Sequence, residues 1–128
     1  TTWEYWHGGR SRIHNCFNGV GSWFVQALGG ILPSEQGVGY KCAIIRPQLP
    51  AGVEWVKSSK KSPYGEICSS WRVEDNRVIF ELEIPANSNA RFFLPYDVTE
   101  CNVNNQQVAY NTAGLNLGSG KYEIVVSR

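Results

Sequence analysis

The chain has 128 residues, 42% of them hydrophobic and 12% aromatic, which is enough for one domain with a packed core and excludes a disordered tail. Lysine and arginine together number 12 against 11 acidic residues, so the formal net charge of +1 provides no basic surface for nucleic acid or for an anionic membrane. No window approaches the roughly 18 apolar residues of a membrane span, and the first residues, TTWEYWHGGR, lack the pattern of a signal peptide, which leaves the compartment open.

Aromatic residues and one acid crowd the start of the chain. The cluster consists of Trp3, Glu4, Tyr5, Trp6, His7 and His14. A carboxylate between indoles is typical of a sugar site, because aromatic rings stack on pyranose faces while the carboxylate activates water or holds hydroxyls. The alternative is structural, with the indoles anchoring the start of a helix and Glu4 solvated. The sequence contains no Met, and this abrupt start predicts a piece of a longer protein.

One amphipathic helix is predicted next. Its apolar stripe follows a period of 3.6 residues and consists of Val20, Trp23, Phe24, Ala27, Leu28 and Ile31. Gly29-Gly30 predicts the end of the helix, and Pro33 prevents its continuation. Because so short a helix is marginal in water by itself, we expect the stripe to dock on the rest of the chain or to pair with a second copy.

After Pro33 the pattern becomes that of β-strands. The predicted strands are residues 40–46, 52–57, 66–73, 77–84, 90–94, 100–103, 106–110 and 121–126. The fourth is the clearest, because Val78, Phe80, Leu82 and Ile84 alternate with polar residues. Turn signals at 75–76 and 104–105 predict hairpins. The chain is therefore predicted to be mainly β, an antiparallel sandwich of about eight short strands preceded by one amphipathic helix.

Four cysteines are spread along the chain, at Cys16, Cys42, Cys68 and Cys101. Their spacing is too wide for a CxxC zinc motif and neither histidine is paired with them, so we expect no metal and no other cofactor. Four cysteines permit three disulfide connectivities in an oxidising compartment, while buried free thiols are the simpler interpretation. Neither histidine lies in a nucleophile motif, so a catalytic cysteine is not predicted.

Several motifs occur in an order that resembles a known family. They are WEYW at 3–6, HNCFNGVGSW at 14–23, GYKCAIIRP at 39–47, SPYG at 62–65 and SSW at 69–71. This order is similar to the C-terminal end of bacterial α-L-rhamnosidases of glycoside hydrolase family 78. In that family a W-E-R-W segment and an N-H-Y-A-F-G-x-V-G-x-W helix close an (α/α)6 barrel, and a GY-x-x-IIRP strand opens a C-terminal β-sandwich with TPYG and SSW.

The resemblance implies two parts and an activity. Residues 1–33 would be the C-terminal remnant of the catalytic (α/α)6 barrel, and residues 34–128 the C-terminal β-sandwich domain. The parent would hydrolyse terminal α-L-rhamnosides with inversion, so its partners would be a rhamnose-containing glycan and the upstream catalytic barrel.

The resemblance also implies roles for four residues. Glu4 matches the general base, His14 matches a histidine that contacts the sugar, and Trp3 and Trp6 match aromatics around the base. An inverting enzyme needs a general acid about 6.5–9.5 Å from this base, and the family's acid lies upstream in the barrel. The chain by itself is therefore expected to be inactive. The structural alternative for His14 is a residue at the start of the helix that bonds to backbone.

Other aromatic residues belong to the predicted sandwich. Trp71 and Phe80 are expected in the core, whereas Trp55 and Tyr96 lie beside polar or turn residues and are expected to be exposed. Two roles remain open for the sandwich: a structural cap that stabilises the barrel, or a carbohydrate-binding module without a catalytic role. We favour the cap, because no strand carries a row of exposed aromatics at period 2.

Overall fold

The computed structural model describes residues 4–13, 19–95 and 97–127. The N-terminal helix begins with an α-helical turn, Val20–Trp23, and continues as a π-helical turn, Phe24–Leu28. A 3-10 turn follows at Val38–Tyr40. The strands are β1 Ile31–Pro33, β2 Cys42–Ile45, β3 Trp55–Ser62, β4 Gly65–Glu74, β5 Arg77–Ile84, β6 Asn89–Phe92, β7 Glu100–Val103, β8 Gln106–Ala109, β9 Leu115–Leu117 and β10 Gly120–Ser127.

The strands form two sheets, which confirms the predicted sandwich. One sheet has four strands in the order β1-β2-β6-β9, and the other has six in the order β3-β4-β5-β10-β7-β8. Neighbouring strands are antiparallel except β2 and β6, which pair in parallel. The described chain thus has two strands more than the about eight predicted from the spacing of turn signals. Strands β1 and β9 were not predicted, because three residues are too few to show an alternation.

The core lies between the two sheets. Phe80 of β5 and Phe92 of β6 meet across it edge to face, with ring centroids 5.2 Å apart. The alternation predicted for β5 is confirmed, since its four inward residues are buried, and the adjacent Ile79 is buried as well. Trp71 and Phe80 both belong to the core, as expected. The sandwich is therefore held mainly by apolar burial between the faces of the sheets.

The helix is shorter than its stripe predicts. It ends at Leu28, and Ile31 lies in β1, where it pairs with Ile45 of β2. Gly30 makes the change of direction, with φ of +70° and the backbone of Arg46 and Pro47 so close that a Cβ would overlap it. Only glycine suits this conformation and this close approach, and Gly30 therefore allows the chain to leave the helix and enter the four-stranded sheet. Ile31 is thus buried as a strand residue, and β1, which was predicted to belong to the barrel remnant 1–33, pairs with β2 as a strand of the four-stranded sheet.

The stripe of the helix is divided between the core and the surface. Ala27 and Leu28 are buried, whereas Val20, Trp23 and Phe24 are exposed. Two hydrogen bonds hold the buried end: the indole Nε1–H of Trp71 donates to the carbonyl of Leu28 at 2.8 Å, and the backbone N–H of Gln48 donates to the carbonyl of Ala27 at 2.9 Å. They satisfy carbonyls that a helix end leaves without a partner. The expected docking therefore applies to the C-terminal half of the stripe.

The hairpin turns agree with the sequence signals. Glu74 pairs with Arg77 around the turn at 75–76, and Asp75 has φ of +51°. Asn104 and Asn105 both have positive φ and join β7 to β8. Asparagine and aspartate tolerate this left-handed conformation, and two consecutive residues of positive φ match the twist of a hairpin.

Among the described cysteines, Cys42, Cys68 and Cys101 are free thiols, and Cys16 lies outside the described residues. Tyr96 lies outside them too, whereas Trp55 is exposed as expected. None of the helices in the described ranges is long and apolar enough to cross a membrane.

Candidate functional site

The N-terminal segment 4–13 forms a small loop that is closed by backbone hydrogen bonds. The N–H of Glu4 donates to the carbonyl of Ser11 at 3.0 Å, and the N–H of Gly8 donates to the carbonyl of Tyr5 at 3.1 Å. The Ser11 hydroxyl donates to the carbonyl of Ile13 at 2.8 Å. The backbone bond between Glu4 and Ser11 therefore brings the two ends of the loop together, and Gly8, with φ of +62°, lies in the turn inside it.

Within this loop the Glu4 carboxylate lies beside a cation. The Oε1 atom of Glu4 is 3.6 Å from Nη1 of Arg10, and the side chain of Glu4 is 24% exposed. The Arg10 guanidinium lies over the ring of Tyr5, 5.4 Å from its centroid. Tyr5 in turn stacks on His7 with centroids 5.9 Å apart. The loop thus holds one accessible carboxylate, a suitable group for a base, next to stacked rings.

Two of the four residues predicted for the sugar site are described. Glu4 is in the loop, and Trp6 is 99% exposed, so its indole is open to solvent. Trp3 and His14 lie outside the described residues. In the described part of the chain, no group of three or more His, Cys, Asp and Glu side chains could hold a metal ion. The described part of the loop thus presents the Glu4 carboxylate and the exposed indole of Trp6, and the resemblance implies that an acid partner lies upstream.

A second cluster of polar groups lies on the outer face of the six-stranded sheet. Arg72 donates from Nε to Oε1 of Glu74 and from Nη1 to Oε1 of Glu81, both at 2.7 Å. The hydrogen bonds to the two carboxylates raise the pKa of Arg72 above its ordinary value, so the guanidinium stays charged. Trp55 is opposite Arg72 in the register of β3 and β4, and it is 65% exposed.

The sequence indicated only part of this cluster. Trp55 was expected to be exposed and Glu81 to face outward from β5, but Arg72 and Glu74 were not singled out. Period-2 spacing puts Ser70, Arg72 and Glu74 on one face of β4. Their cross-strand neighbours depend on the register of three strands, which a single sequence does not show.

A wider depression of about 670 Å³ lies on the outer face of the four-stranded sheet. Its polar lining includes Arg91 of β6 and Asn116 of β9, and the Arg91 Nε donates to Oδ1 of Asn116 at 3.2 Å. Phe93 also lines it, but the Arg46 guanidinium lies 4.2 Å from the centroid of that ring and covers one of its faces. This depression therefore offers hydrogen-bonding groups without the open aromatic platform that Trp55 provides.

The two stacked sheets and the short N-terminal helix define the chain as a β-sandwich domain. The profile of the family described as bacterial alpha-L-rhamnosidase C-terminal domain matches residues 30–109, which is more than half of the chain. The chain belongs to this family. An alpha-L-rhamnosidase of Formosa agariphila is 30% identical over 98% of the chain, and one of Alteromonas sp. is 27% identical over 98%. The chain spans only 14% and 15% of the length of these two relatives.

Solved structures show that the fold is shared. The α-L-rhamnosidase of Streptomyces avermitilis, complexed with L-rhamnose, superposes with a TM-score of 0.76 at 22% identity, covering 89% of this chain and 11% of that one. The α-L-rhamnosidase of Dictyoglumus thermophilum also superposes with a TM-score of 0.76, at 18% identity over 90% of this chain and 14% of that one. The sandwich is thus similar to a small part of each of these much longer proteins.

Proposed function

We propose that this chain is the C-terminal part of an α-L-rhamnosidase, in which the sandwich stabilises an upstream catalytic barrel. Membership of the family and the small share of each relative that the chain spans support a larger parent. The parent would hydrolyse terminal α-L-rhamnosides of a glycan with inversion. The barrel would end at the N-terminal helix, and the sandwich would begin at β1.

The observation that carries this proposal is the division of the helical stripe. Trp23 and Phe24 are 50% and 53% exposed and meet edge to face with centroids 5.5 Å apart, and Val20 is exposed beside them. The same helix is anchored to β4 by the bond from Trp71 to Leu28. A helix that is fixed at one end and presents an apolar patch at the other is suited to join two folded units. The upstream barrel is the occupant we assign to this patch.

In the parent, Glu4 would act as the general base. Its carboxylate would take a proton from the water that attacks the anomeric carbon, while an acid of the barrel protonates the leaving oxygen on the other side of the ring. Trp3, Trp6 and His14 would contact the sugar around this base. Because the acid would come from the barrel, the chain alone cannot provide both carboxylates that the reaction needs.

A stability measurement on the parent tests the cap. Replacing both Trp23 and Phe24 by Ala should lower the melting temperature of the barrel and increase its proteolysis next to the sandwich, because the apolar contact between the two units is lost. The control is Val38→Ala, since Val38 is 89% exposed in the 3-10 turn and lies outside the patch. Equal melting temperatures for the double variant, the control and the wild type would contradict the proposed interface.

A further inference from the structure

We propose that the outer face of the six-stranded sheet binds a neutral oligosaccharide, with Trp55 as the stacking platform and Arg72 as the polar anchor. We call this site the Trp55 groove. It is lined by Glu54, Trp55, Lys57, Ser70, Arg72 and Glu81 around a depression of about 310 Å³. The site is independent of the helical patch and of Glu4, and it does not depend on catalysis by a parent enzyme.

Trp55 has the exposure and the position of a stacking platform. It begins β3, is 65% exposed and faces Arg72 across the strand pair. An exposed indole on a rigid strand offers an apolar face without moving backbone, and pyranose rings have apolar faces that stack on such rings. Trp55 shares one depression with the polar side chains of Lys57, Arg72 and Glu81, and this combination of an open ring with hydrogen-bonding groups is the basis for assigning a sugar ligand.

Arg72 supplies fixed hydrogen-bonding groups next to this platform. Its guanidinium is oriented by Glu74 on one side and by Glu81 on the other, each at 2.7 Å. Glu81 and Arg72 both line the depression, so they can accept from one sugar hydroxyl and donate to its neighbour. Because the ion pairs already hold these side chains, a sugar would not have to order them, which lowers the entropy lost on binding.

The groove continues beyond the platform. A second depression of about 470 Å³ shares Ser70 and Glu81 with the first and extends to Asn104 and Lys121. The two together cross β3, β4, β5 and β10, which are neighbours in the sheet. Three inter-strand intervals of about 4.8 Å make this path about 14 Å long, which suits a ligand of more than one ring. We therefore assign an oligosaccharide rather than a single sugar.

The charges on this face favour a neutral ligand. Arg72 pairs with Glu74 and Glu81, and Nζ of Lys121 is 3.3 Å from Oε2 of Glu83. Mixed signs along the groove give no net field that would attract a polyanion. Lysine and glutamate are depleted at the centre of protein interfaces, and Glu54, Lys57 and Glu81 line this groove, so we assign a sugar rather than a protein partner. An uncharged sugar chain, which is rich in hydroxyls, can hydrogen-bond to the ion-paired side chains and stack on the indole of Trp55.

Titration of the 128-residue chain tests the site. The probes are a neutral α-linked rhamno-oligosaccharide, cellopentaose as a second neutral chain, and heparin as a polyanion, each followed by calorimetry and by amide chemical shifts. We expect a neutral probe to bind and to shift amides of β3, β4 and β5. Trp55→Ala should weaken binding at least tenfold. Tyr64→Ala is the matched control, because Tyr64 is an exposed aromatic in the β3–β4 turn, outside the groove.

A second groove variant, Arg72→Gln, is included so that the test does not rest on the folding of Trp55→Ala alone. Arg72→Gln removes both ion pairs and should also weaken binding at least tenfold, with circular dichroism confirming the fold. The proposal is overturned if neither neutral probe binds, if heparin alone binds, if the shifted amides lie outside the groove, or if Trp55→Ala and Arg72→Gln bind as tightly as Tyr64→Ala. Loss of binding in both groove variants with the control intact supports it.

Discussion

At the scale of single residues, two serine hydroxyls are buried without a hydrogen-bond partner in the described structure, at Ser58 and Ser69. The two residues are opposite each other in β3 and β4. An unpaired buried hydroxyl costs free energy, whereas its replacement by a methyl group of similar shape removes that cost. The sandwich therefore tolerates these serines at the expense of some stability.

We predict that Ser69→Ala leaves the free energy of unfolding unchanged or raises it, as measured by urea denaturation. The matched control is Ser88→Ala, because the Ser88 hydroxyl donates to the carbonyl of Pro85 at 2.7 Å. Loss of that bond should lower the free energy of unfolding by about 0.5–1.5 kcal/mol. A destabilisation of Ser69→Ala as large as that of the control would show that its hydroxyl is bonded.

The thiol of Cys101 makes stability depend on pH. Burial raises the pKa of Cys101, so the folded state favours the neutral thiol. A raised folded-state pKa contributes stability that is complete below the unfolded value of about 8.5 and is lost as the pH rises through the folded value. As the pH rises above about 8.5, the free energy of unfolding should therefore fall more steeply in the wild type than in Cys101→Ala. Equal slopes would be the contrary result.

A substitution in the parent tests the proposed role of Glu4 as general base. Glu4→Gln keeps the size and the hydrogen bonding of the side chain but removes the base, so turnover of an aryl α-L-rhamnoside should fall by around 10²–10⁴-fold with the melting temperature unchanged. Glu35→Gln is the control, because Glu35 is an exposed carboxylate in the loop after β1. Full turnover by Glu4→Gln would refute the role that the resemblance assigns to this residue.

At the scale of elements, the junction between the helix and β1 depends on Gly30. A side chain at this position would have both an unfavourable φ of +70° and an overlap with the backbone of Arg46 and Pro47. The same junction carries the hydrogen bond from the N–H of Arg46 to the carbonyl of Gly30 at 2.8 Å. The helix can dock on the sandwich only if the chain makes this turn.

Gly30→Ala should therefore lower the free energy of unfolding by more than 2 kcal/mol, about the combined cost of backbone strain and overpacking. Gly21→Ala is the control within the same helix, because a Cβ at Gly21 meets no atom within 4 Å. Alanine there should stabilise the protein by about 0.5–1 kcal/mol, since glycine loses more conformational freedom in a helix. Denaturant titrations compare the two, and a neutral Gly30→Ala would contradict the packing of the junction.

At the scale of the whole molecule, the sandwich has its own core, while the resemblance assigns to the N-terminal segment only one of the two carboxylates that the reaction needs. Catalysis needs groups that stabilise the transition state together, and a base without its acid does not provide them. We predict no hydrolysis of an aryl α-L-rhamnoside by the purified 128-residue chain. Hydrolysis that Glu4→Gln abolishes would show instead that the chain holds a complete active site.

Local sequence patterns predicted much of the fold. The bounds of β5 and β7 agree with the predicted residues, because apolar alternation and flanking turn residues both act over a few positions. The prediction for β3 covered residues 52–57, whereas the strand is Trp55–Ser62. The bounds were wrong because its sequence, WVKSSKKS, has few apolar residues and therefore lacks the apolar alternation that predicts a strand. Lysines suit this edge strand of the sheet, because they oppose pairing with another chain.

The sequence by itself determined the sandwich class, the hairpins and the family, because each depends on residues that are close in the chain or on motifs in a set order. The tertiary structure decided which part of the helical stripe is buried, since that depends on Trp71, which is 43 positions from Leu28. It also decided that Trp55, Arg72 and Glu81 share one face, because the register of three strands brings them together. Periodicity shows which face of its own strand a side chain occupies, but its neighbours on the next strand follow from pairing between segments that are distant in sequence.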